Sequence, residues 1–319
     1  MEREGTAEAA AAIGFPCVLK PLSLNASQGV VRVDDESACA AVAEDIFDLL
    51  RLRYPVGHAH RDKLLVESYL PGREVSLDAL LVHGRAHVVA VFDKPEPMEG
   101  PYFPETIFTT PSCESEAMVQ SLIDTVATAA KALGLHHGPL HAEFRITSSA
   151  NGAGVPILIE LAPRRIGGLC SRALLDLDGP GLEEQILSAA IGETAPLRQL
   201  RPNEQTAGSS GVMMINAPAA GTLHSVHGLE DARRINHITD IVITARRGEQ
   251  LRPVPFADSY VGFIYARGEE PVQVASALRS AHDRIILDTE PSAVDQHGMC
   301  SSPRHDHIQA TSQSHRTRA

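Results

Sequence analysis

The segment Ile157-Leu158-Ile159-Glu160-Leu161-Ala162-Pro163-Arg164-Arg165-Ile166-Gly167-Gly168 constrains the fold more than any other part of the chain. An apolar run carries a carboxylate to the end of a strand, and two arginines and a Gly-Gly turn follow at once. Upstream, Leu140-His141-Ala142-Glu143-Phe144-Arg145 places a second carboxylate in another strand. The turn-rich stretch 148–154 lies between them, so the two strands should pair antiparallel and bring Glu143 and Glu160 near one point. Paired carboxylates with nearby arginine suit Mg²⁺ held against phosphate oxygens, the chemistry of a nucleotide-driven ligation. The competing reading is a structural salt-bridge network between neighbouring strands. Gly167-Gly168 weighs against it, because glycines after the arginines fit a close backbone approach better than side-chain packing.

Composition removes several classes. Hydrophobic residues make up 43% of the 319, enough for a substantial core. A net charge of -12 disfavours a general nucleic-acid binder, and 4% aromatic content without Trp disfavours stacking on single strands. No apolar run reaches the length of a membrane span, and no signal peptide opens the chain. The cysteines Cys17, Cys39, Cys113, Cys170 and Cys300 are scattered and lack CxxC spacing, which fits free thiols in the cytoplasm rather than a disulfide scaffold or zinc ribbon.

Periodicity predicts a helix end over Thr6 to Ala12, then strands at Cys17–Lys20, Val30–Val33, Leu64–Glu67, Val75–Val82 and His87–Phe92. A helix over Ser37 to Arg53, capped by Ser37, places Val42, Ile46, Leu49 and Leu50 on one face. Another over Glu116 to Leu133 has the stripe Val119, Leu122, Ile123, Val126, Ala130 and Leu133, and a further one covers Leu182 to Ile191. The polar stretch 196–208 reads as a boundary. Beyond it, strands at Gly211–Ile215, Ile241–Ala245 and Tyr260–Ala266 and a helix over Pro271 to Arg284 form a small α+β lobe. The expected domains are therefore 1–200 and 208–289, with a disordered polar tail over 290–319.

Two further motifs bear chemistry. Val18-Leu19-Lys20-Pro21, followed by Asn25-Ala26-Ser27-Gln28-Gly29, ends a strand on a lysine and continues into a loop of small and polar residues. Such a lysine offers a point charge to phosphate oxygens, and small residues let backbone N–H groups approach them. Taken alone, a surface lysine before a hairpin loop is the commoner case. Leu65-Val66-Glu67-Ser68-Tyr69-Leu70-Pro71-Gly72-Arg73-Glu74 ends a strand, turns at Pro-Gly and begins another. Its backbone is suited to an adenine edge and Glu74 to ribose hydroxyls, although a plain hairpin with solvated acids would look the same. His136, His137 and His141 match no standard zinc spacing and read as loop histidines, and His305 and His307 as solvated.

Taken in chain order (the Lys20 motif, the Glu67–Glu74 motif and the Glu143/Glu160 pair), the three motifs resemble the ATP-grasp superfamily, and most closely its carboxylate–amine ligases, particularly the L-amino acid ligases. The resemblance runs over about residues 10 to 195, with Gly211–Ile215, Val242–Ala245 and Tyr260–Ile264 similar to that group's C-terminal lobe. It implies an α+β ATP-grasp fold, two α+β subdomains around ATP, with a small C-terminal α+β lobe. It further implies that Lys20 touches the ATP phosphates and that Asn25, Ser27 and Gly29 lie in a mobile loop over them. Glu67, Ser68 and Leu70 would form the adenine hinge, Glu74 would take the ribose, and Glu143 and Glu160 would hold Mg²⁺ or Mn²⁺. Arg164 would steady an acyl phosphate. The implied reaction joins a small-molecule carboxylate to an amine, through attack on the γ-phosphate of ATP. The Pro-rich loop from Phe92 to Thr106 is expected to shape the substrate pocket, with Lys94 or Glu105 near the reacting groups; a rigid surface connector is the equal alternative.

Two departures stand out. Many relatives carry Asn where this chain has Ala162, which leaves a second Mg²⁺ with fewer protein ligands and favours the amino acid ligase branch over biotin carboxylase-like enzymes. ATP-grasp enzymes also usually carry a preceding α/β domain, whereas here the pattern starts almost at Met1. The expectation is a truncated chain, or one whose missing domain is supplied by a partner or within a homodimer. The alternatives are a carboxylase-like enzyme using bicarbonate and a non-catalytic ATP-binding subunit.

Overall fold

The computed structural model describes residues 5–148, 154–176, 180–192 and 208–291. The turn at 149–153, most of the expected boundary at 196–208, the tail from 292, and Cys300, His305 and His307 lie outside the described residues. In chain order the elements are α1 Thr6–Ile13, β1 Cys17–Pro21, β2 Val31–Val33, α2 Glu36–Arg53, β3 Leu64–Ser68, β4 Arg73–Val82 and β5 Arg85–Lys94. Then follow β6 Ile107–Thr110, α3 Glu116–Ala132, β7 Gly138–Ser148, β8 Gly154–Ala162, a 3₁₀ turn Cys170–Asp176 and α4 Leu182–Ala190. The last part comprises β9 Ser209–Ile215, β10 Gly221–His227, α5 Leu229–Arg233, β11 Ile238–Ile243, β12 Gln250–Leu251, β13 Gly262–Gly268, α6 Pro271–His282 and β14 Ile286–Pro291.

The first subdomain is a three-stranded antiparallel sheet in the order β2-β1-β3, covered by α1 and α2. Cys17 and Leu19 of β1 and Leu64 and Val66 of β3 bury against Ile46, Phe47 and Leu50 of α2. The cap of α2 is Asp35 rather than Ser37: its carboxylate accepts from the N–H groups of Ser37 at 2.9 Å and Ala38 at 3.2 Å. Ser37 was expected to cap because it directly precedes the apolar stripe, but an acid two residues earlier satisfies the first-turn donors.

The second subdomain is built on an eight-stranded antiparallel sheet in the order β11-β13-β9-β6-β5-β4-β7-β8. The first half of β4 and the middle of β7 alternate in chemistry. Val75, Leu77 and Leu81 of β4 and Ala142, Phe144 and Ile146 of β7 pack on Leu122, Val126 and Ala130 of α3. The intervening residues, Glu74, Ser76 and Asp78 on β4 and His141, Glu143 and Arg145 on β7, face the other way. The strand period therefore delivers six polar side chains to one face of a largely apolar sheet.

The residues after 208 divide between two sheets: β12, β10 and β14 form a three-stranded antiparallel sheet of their own, while β9, β13 and β11 join the large one. β9 pairs with β6 from Ile107↔Met213 to Thr110↔Ser210, so the central sheet runs across the expected boundary. α6, with Pro271 at its first turn as expected, packs Val274 and Leu278 on Met213 and Ile264. β6, β10 and β14 escaped the sequence reading because each is short or largely polar. Glu290 and Pro291, expected in the tail, pair with Thr222 and Gly221. Among the described residues no helix is long and apolar enough to cross a membrane.

Replacing the fully buried Leu77 by Ala should cost about 2–5 kcal/mol of unfolding free energy in urea titrations. The same change at Leu52, which is 73% exposed, should stay within about 0.5 kcal/mol.

Candidate active site

Two cavities meet between the subdomains. The first, of about 630 Å³, is lined by Lys20 of β1, Asn25 to Gln28 of the following loop, Glu67 to Leu70 after β3, Met98 and Phe103 of the Pro-rich loop, and Glu143, Glu160 and Arg164. The second, of about 560 Å³, is walled by Phe108, Ile166, Gly168, Met214, Tyr260 and Phe263. Asn25, Ala26, Glu105, Glu143 and Arg164 border both, so they form the passage between them. Both volumes fall in the range of small-molecule sites.

At that passage β7 and β8 pair with Glu143 directly opposite Glu160. Glu160 is half exposed, and its described ion-pair partner is Arg164 at 3.7 Å. Partial burial and the charge of Glu143 push its carboxyl above the ordinary value, with Arg164 opposing. A divalent ion between these two acids would relieve that repulsion, so the donor set fits a hard cation with oxygen ligands.

Behind Glu143 lies a network of buried charge. Lys94 Nζ contacts Glu74, Glu105 Oε2 at 3.0 Å and Glu143 Oε1 at 3.3 Å. Arg145 Nε lies 3.0 Å from Glu74 Oε2. His141 sits between Asp78 and Glu143, its two ring nitrogens 3.2 Å from each. Burial opposes charge on His141, but hydrogen bonds to both acids outweigh it and raise the imidazolium to about 10. Burial also opposes ionisation of Glu143, yet Lys94 and His141 hold it well below the usual carboxylate range. Glu105 is pushed up to about 7, burial outweighing the pull of Lys94. Asp78 in addition accepts the N–H of Ile166 at 3.0 Å, which ties the Arg164–Gly168 turn to β4.

At the first cavity, Lys20 Nζ pairs with Glu67 Oε2 at 2.5 Å and lies 3.4 Å from the carbonyl of Ile159. The loop after β1 is held in left-handed conformations at Ala26, Ser27 and Gly29. At Gly29 a Cβ would lie 2.9 Å from the Pro21 ring, so the loop requires glycine there. Ser27 Oγ lies 3.3 Å from Glu105 Oε1. The far side of the loop is fastened to the C-terminal segment: Gly29 N–H donates to the Pro255 carbonyl at 2.7 Å, and Gln28 Nε2 to that of Phe256 at 3.0 Å.

Of the residues expected from the sequence, Lys20, Asn25, Ser27, Glu67, Ser68, Leu70, Glu143, Glu160 and Arg164 all line the first cavity. Two expectations need correction. Glu74 borders the first cavity too, but not as a solvated acid: it is 4% exposed, and its two oxygens are engaged by Lys94 and Arg145. The Pro-Gly turn suggested an exposed acid, but the strand begins at Arg73, and the period turns Glu74 inward. His141 is no loop histidine either; it is buried in β7 between two acids. Asp78 and Arg145 were not singled out at all. The alternation of charged and apolar residues in Glu74-Val75-Ser76-Leu77-Asp78 and His141-Ala142-Glu143-Phe144-Arg145 was the available signal, since charges on every second strand position must share a face. The Pro-rich loop is not a mere connector: Met98, Phe103 and Glu105 line the cavity, and Phe103 stacks on Tyr69 with ring centroids 6.4 Å apart.

Two subdomains closing on a cavity, with paired acids, a strand-end lysine and a bordering arginine, define an ATP-grasp arrangement. The chain belongs to that family: residues 13–173 match the ATP-grasp domain, and residues 213–290 match the L-amino acid ligase C-terminal domain 2. It is similar to carnosine synthase 1 of Gallus gallus, 30% identical over 232 residues, which covers 70% of this chain and 24% of that protein. Alanine–anticapsin ligase of Bacillus subtilis (strain 168) is 26% identical over 168 residues, 49% of this chain and 34% of the ligase. The structure of an L-amino acid ligase from Bacillus licheniformis superimposes with a TM-score of 0.72 at 25% identity, covering 87% of this chain and 65% of that one. The chain thus spans less than two thirds of the length of each of these relatives.

The raised value of His141 has a pH consequence. A base bound more tightly when folded stabilises the protein fully below its ordinary value of 6.5, and that contribution is lost as pH rises towards 10. Between pH 7 and 10 the unfolding free energy of wild type in metal-free buffer should therefore fall more steeply than that of His141→Gln. Denaturant titrations at each pH check this.

Proposed function

We propose that the protein is an ATP- and Mg²⁺-dependent carboxylate–amine ligase that forms an amide, with amino acids as substrates. The observation that carries the reading is the pairing of Glu143 with Glu160 beside the passage between two cavities, one bordered by Lys20 and its loop, the other by Arg165, Gly168, Met214 and Tyr260. The first cavity takes ATP, with the backbone of Glu67 to Leu70 at the adenine and Lys20 beside the phosphates. The second takes the organic substrates. Glu143 and Glu160 would hold the Mg²⁺, which would supply charge neutralisation to the phosphate oxygens.

The substrate carboxylate attacks the γ-phosphorus of ATP, forming an acyl phosphate and releasing ADP. An amine then attacks the acyl carbon and expels phosphate. Arg164, which borders both cavities, stabilises charge on the transferred phosphoryl group and on the tetrahedral centre. Glu105, at the same passage and raised to about 7, is suited to take the proton that the amine loses. The protein otherwise acts by alignment and charge neutralisation.

The size of the second cavity, and its mix of apolar residues (Ile166, Met214, Phe263) with charged ones (Arg164, Arg165, Asp258), favour an organic substrate over bicarbonate, whose few atoms would leave most of about 560 Å³ unfilled. The four free cysteines among the described residues support a cytoplasmic setting.

Coupled assays should detect ADP formed in the presence of pairs of amino acids and not with bicarbonate. Glu160→Ala should lower that rate by at least about 100-fold, the upper end of what loss of even a supporting metal contact costs. Unchanged turnover would remove Glu160 from the site.

A further inference from the structure

Glu143 also belongs to a cluster of three acids arranged as a cation cage. One carboxylate oxygen from each of Glu74, Glu105 and Glu143 lies within 4.8 Å of the other two. Left alone, such a cluster would draw a divalent ion from solution. Lys94 instead enters it from the end of β5. Its side chain is 4% exposed, and its ammonium contacts all three acids. The ring of Phe108 closes the cage, its centroid 4.9 Å from Nζ.

We propose that Lys94 is a positioning residue that serves as a permanent internal cation: it fills the cage of Glu74, Glu105 and Glu143, so that a divalent ion is accepted only on the outer side, between Glu143 and Glu160. The inference rests on reading Glu143 and Glu160 as the metal carboxylates.

Three observations support the division. The contacts of Lys94 and His141 with Glu143 both fall on Oε1, which leaves Oε2 for an ion on the outer side. Position 162, opposite His141 in the strand pair, is an alanine and offers no donor to a second ion. Glu160, by contrast, is half exposed, with Arg164 at 3.7 Å, so an ion can reach it from the cavity. A tethered ammonium also differs chemically from a bound metal. It cannot leave with the nucleotide, and it keeps Glu143 in one orientation through each exchange of ligand.

The test counts ions without turnover. Mn²⁺ binding to the nucleotide-free protein is measured by electron paramagnetic resonance, with thermal melting alongside. Lys94→Met should bind one more Mn²⁺ per chain than wild type, and millimolar Mn²⁺ should raise its melting temperature by several degrees more than that of wild type. A folded Lys94→Met with the wild-type Mn²⁺ count overturns the proposal. Should this variant unfold in chelator, recovery of its fold on adding Mn²⁺ supports the proposal. The single variant Glu160→Gln decides independently of how Lys94→Met folds. With Lys94 in place, this variant should hold no tightly bound Mn²⁺. Retention of Mn²⁺ at wild-type affinity would mean that the inner cage accepts metal despite Lys94, and would overturn the proposal. Because no step needs turnover, absence of ligase activity would count against the ligase reading and leave the ion count to stand on its own.

Discussion

Burial of charge on one face of the large sheet is the constraint around which the site is organised. Three cations, Lys94, His141 and Arg145, lie among four carboxylates, Glu74, Asp78, Glu105 and Glu143. Each would be costly to bury alone, and removing one member would leave an opposite charge uncompensated in a medium that screens poorly. The imbalance of one negative charge falls where the two cavities meet, and there the structure places Glu105, raised to about 7, and Glu143, held ionised. The charged cluster thus sets both the orientation of Glu143 and the electrostatics of the passage.

The surrounding architecture brings ligands from distant parts of the chain to that cluster. β1 and its loop come from the first subdomain, Glu143 and Glu160 from the far strands of the second, and Met214, Tyr260 and Phe263 from the part that matches the amino acid ligase C-terminal domain. That last part does more than wall the second cavity. Through the carbonyls of Pro255 and Phe256 it holds the loop of Gln28 and Gly29 from behind, and Arg53 reaches Asp258 at 2.6 Å. The loop beside the first cavity and the segment beside the second are therefore mechanically joined.

Much of the fold was legible in the chain because it rests on local periodicity. The stripes of α2 and α3 and the apolar strands β1, β3, β4 and β7 follow from 3.6- and 2-residue repeats. β6, β10 and β14 were not legible, because short or polar strands are defined by the partners they pair with. The site divides in the same way. Lys20, Glu160 and Arg164 stand at or just beyond strand ends beside turns, where composition marks them, and Glu143, in the middle of β7, is found by its antiparallel pairing with Glu160. Glu74 and His141 were misread, and Asp78 and Arg145 passed over, because nothing local distinguishes a charged residue facing solvent from one facing a buried network.

The residues of the chain determine by themselves the paired carboxylate strands, the glycine turns, the lysine-ended first strand and the order of motifs, since these depend on neighbours a few positions apart. Which face of each strand is buried, which acids Lys94 neutralises, and that Glu74 and Glu105 share a cage with Glu143 are decided only by tertiary structure. Those contacts span 11 to 49 residues of chain, and the free energy of a buried charge depends on which opposite charge the fold brings within reach.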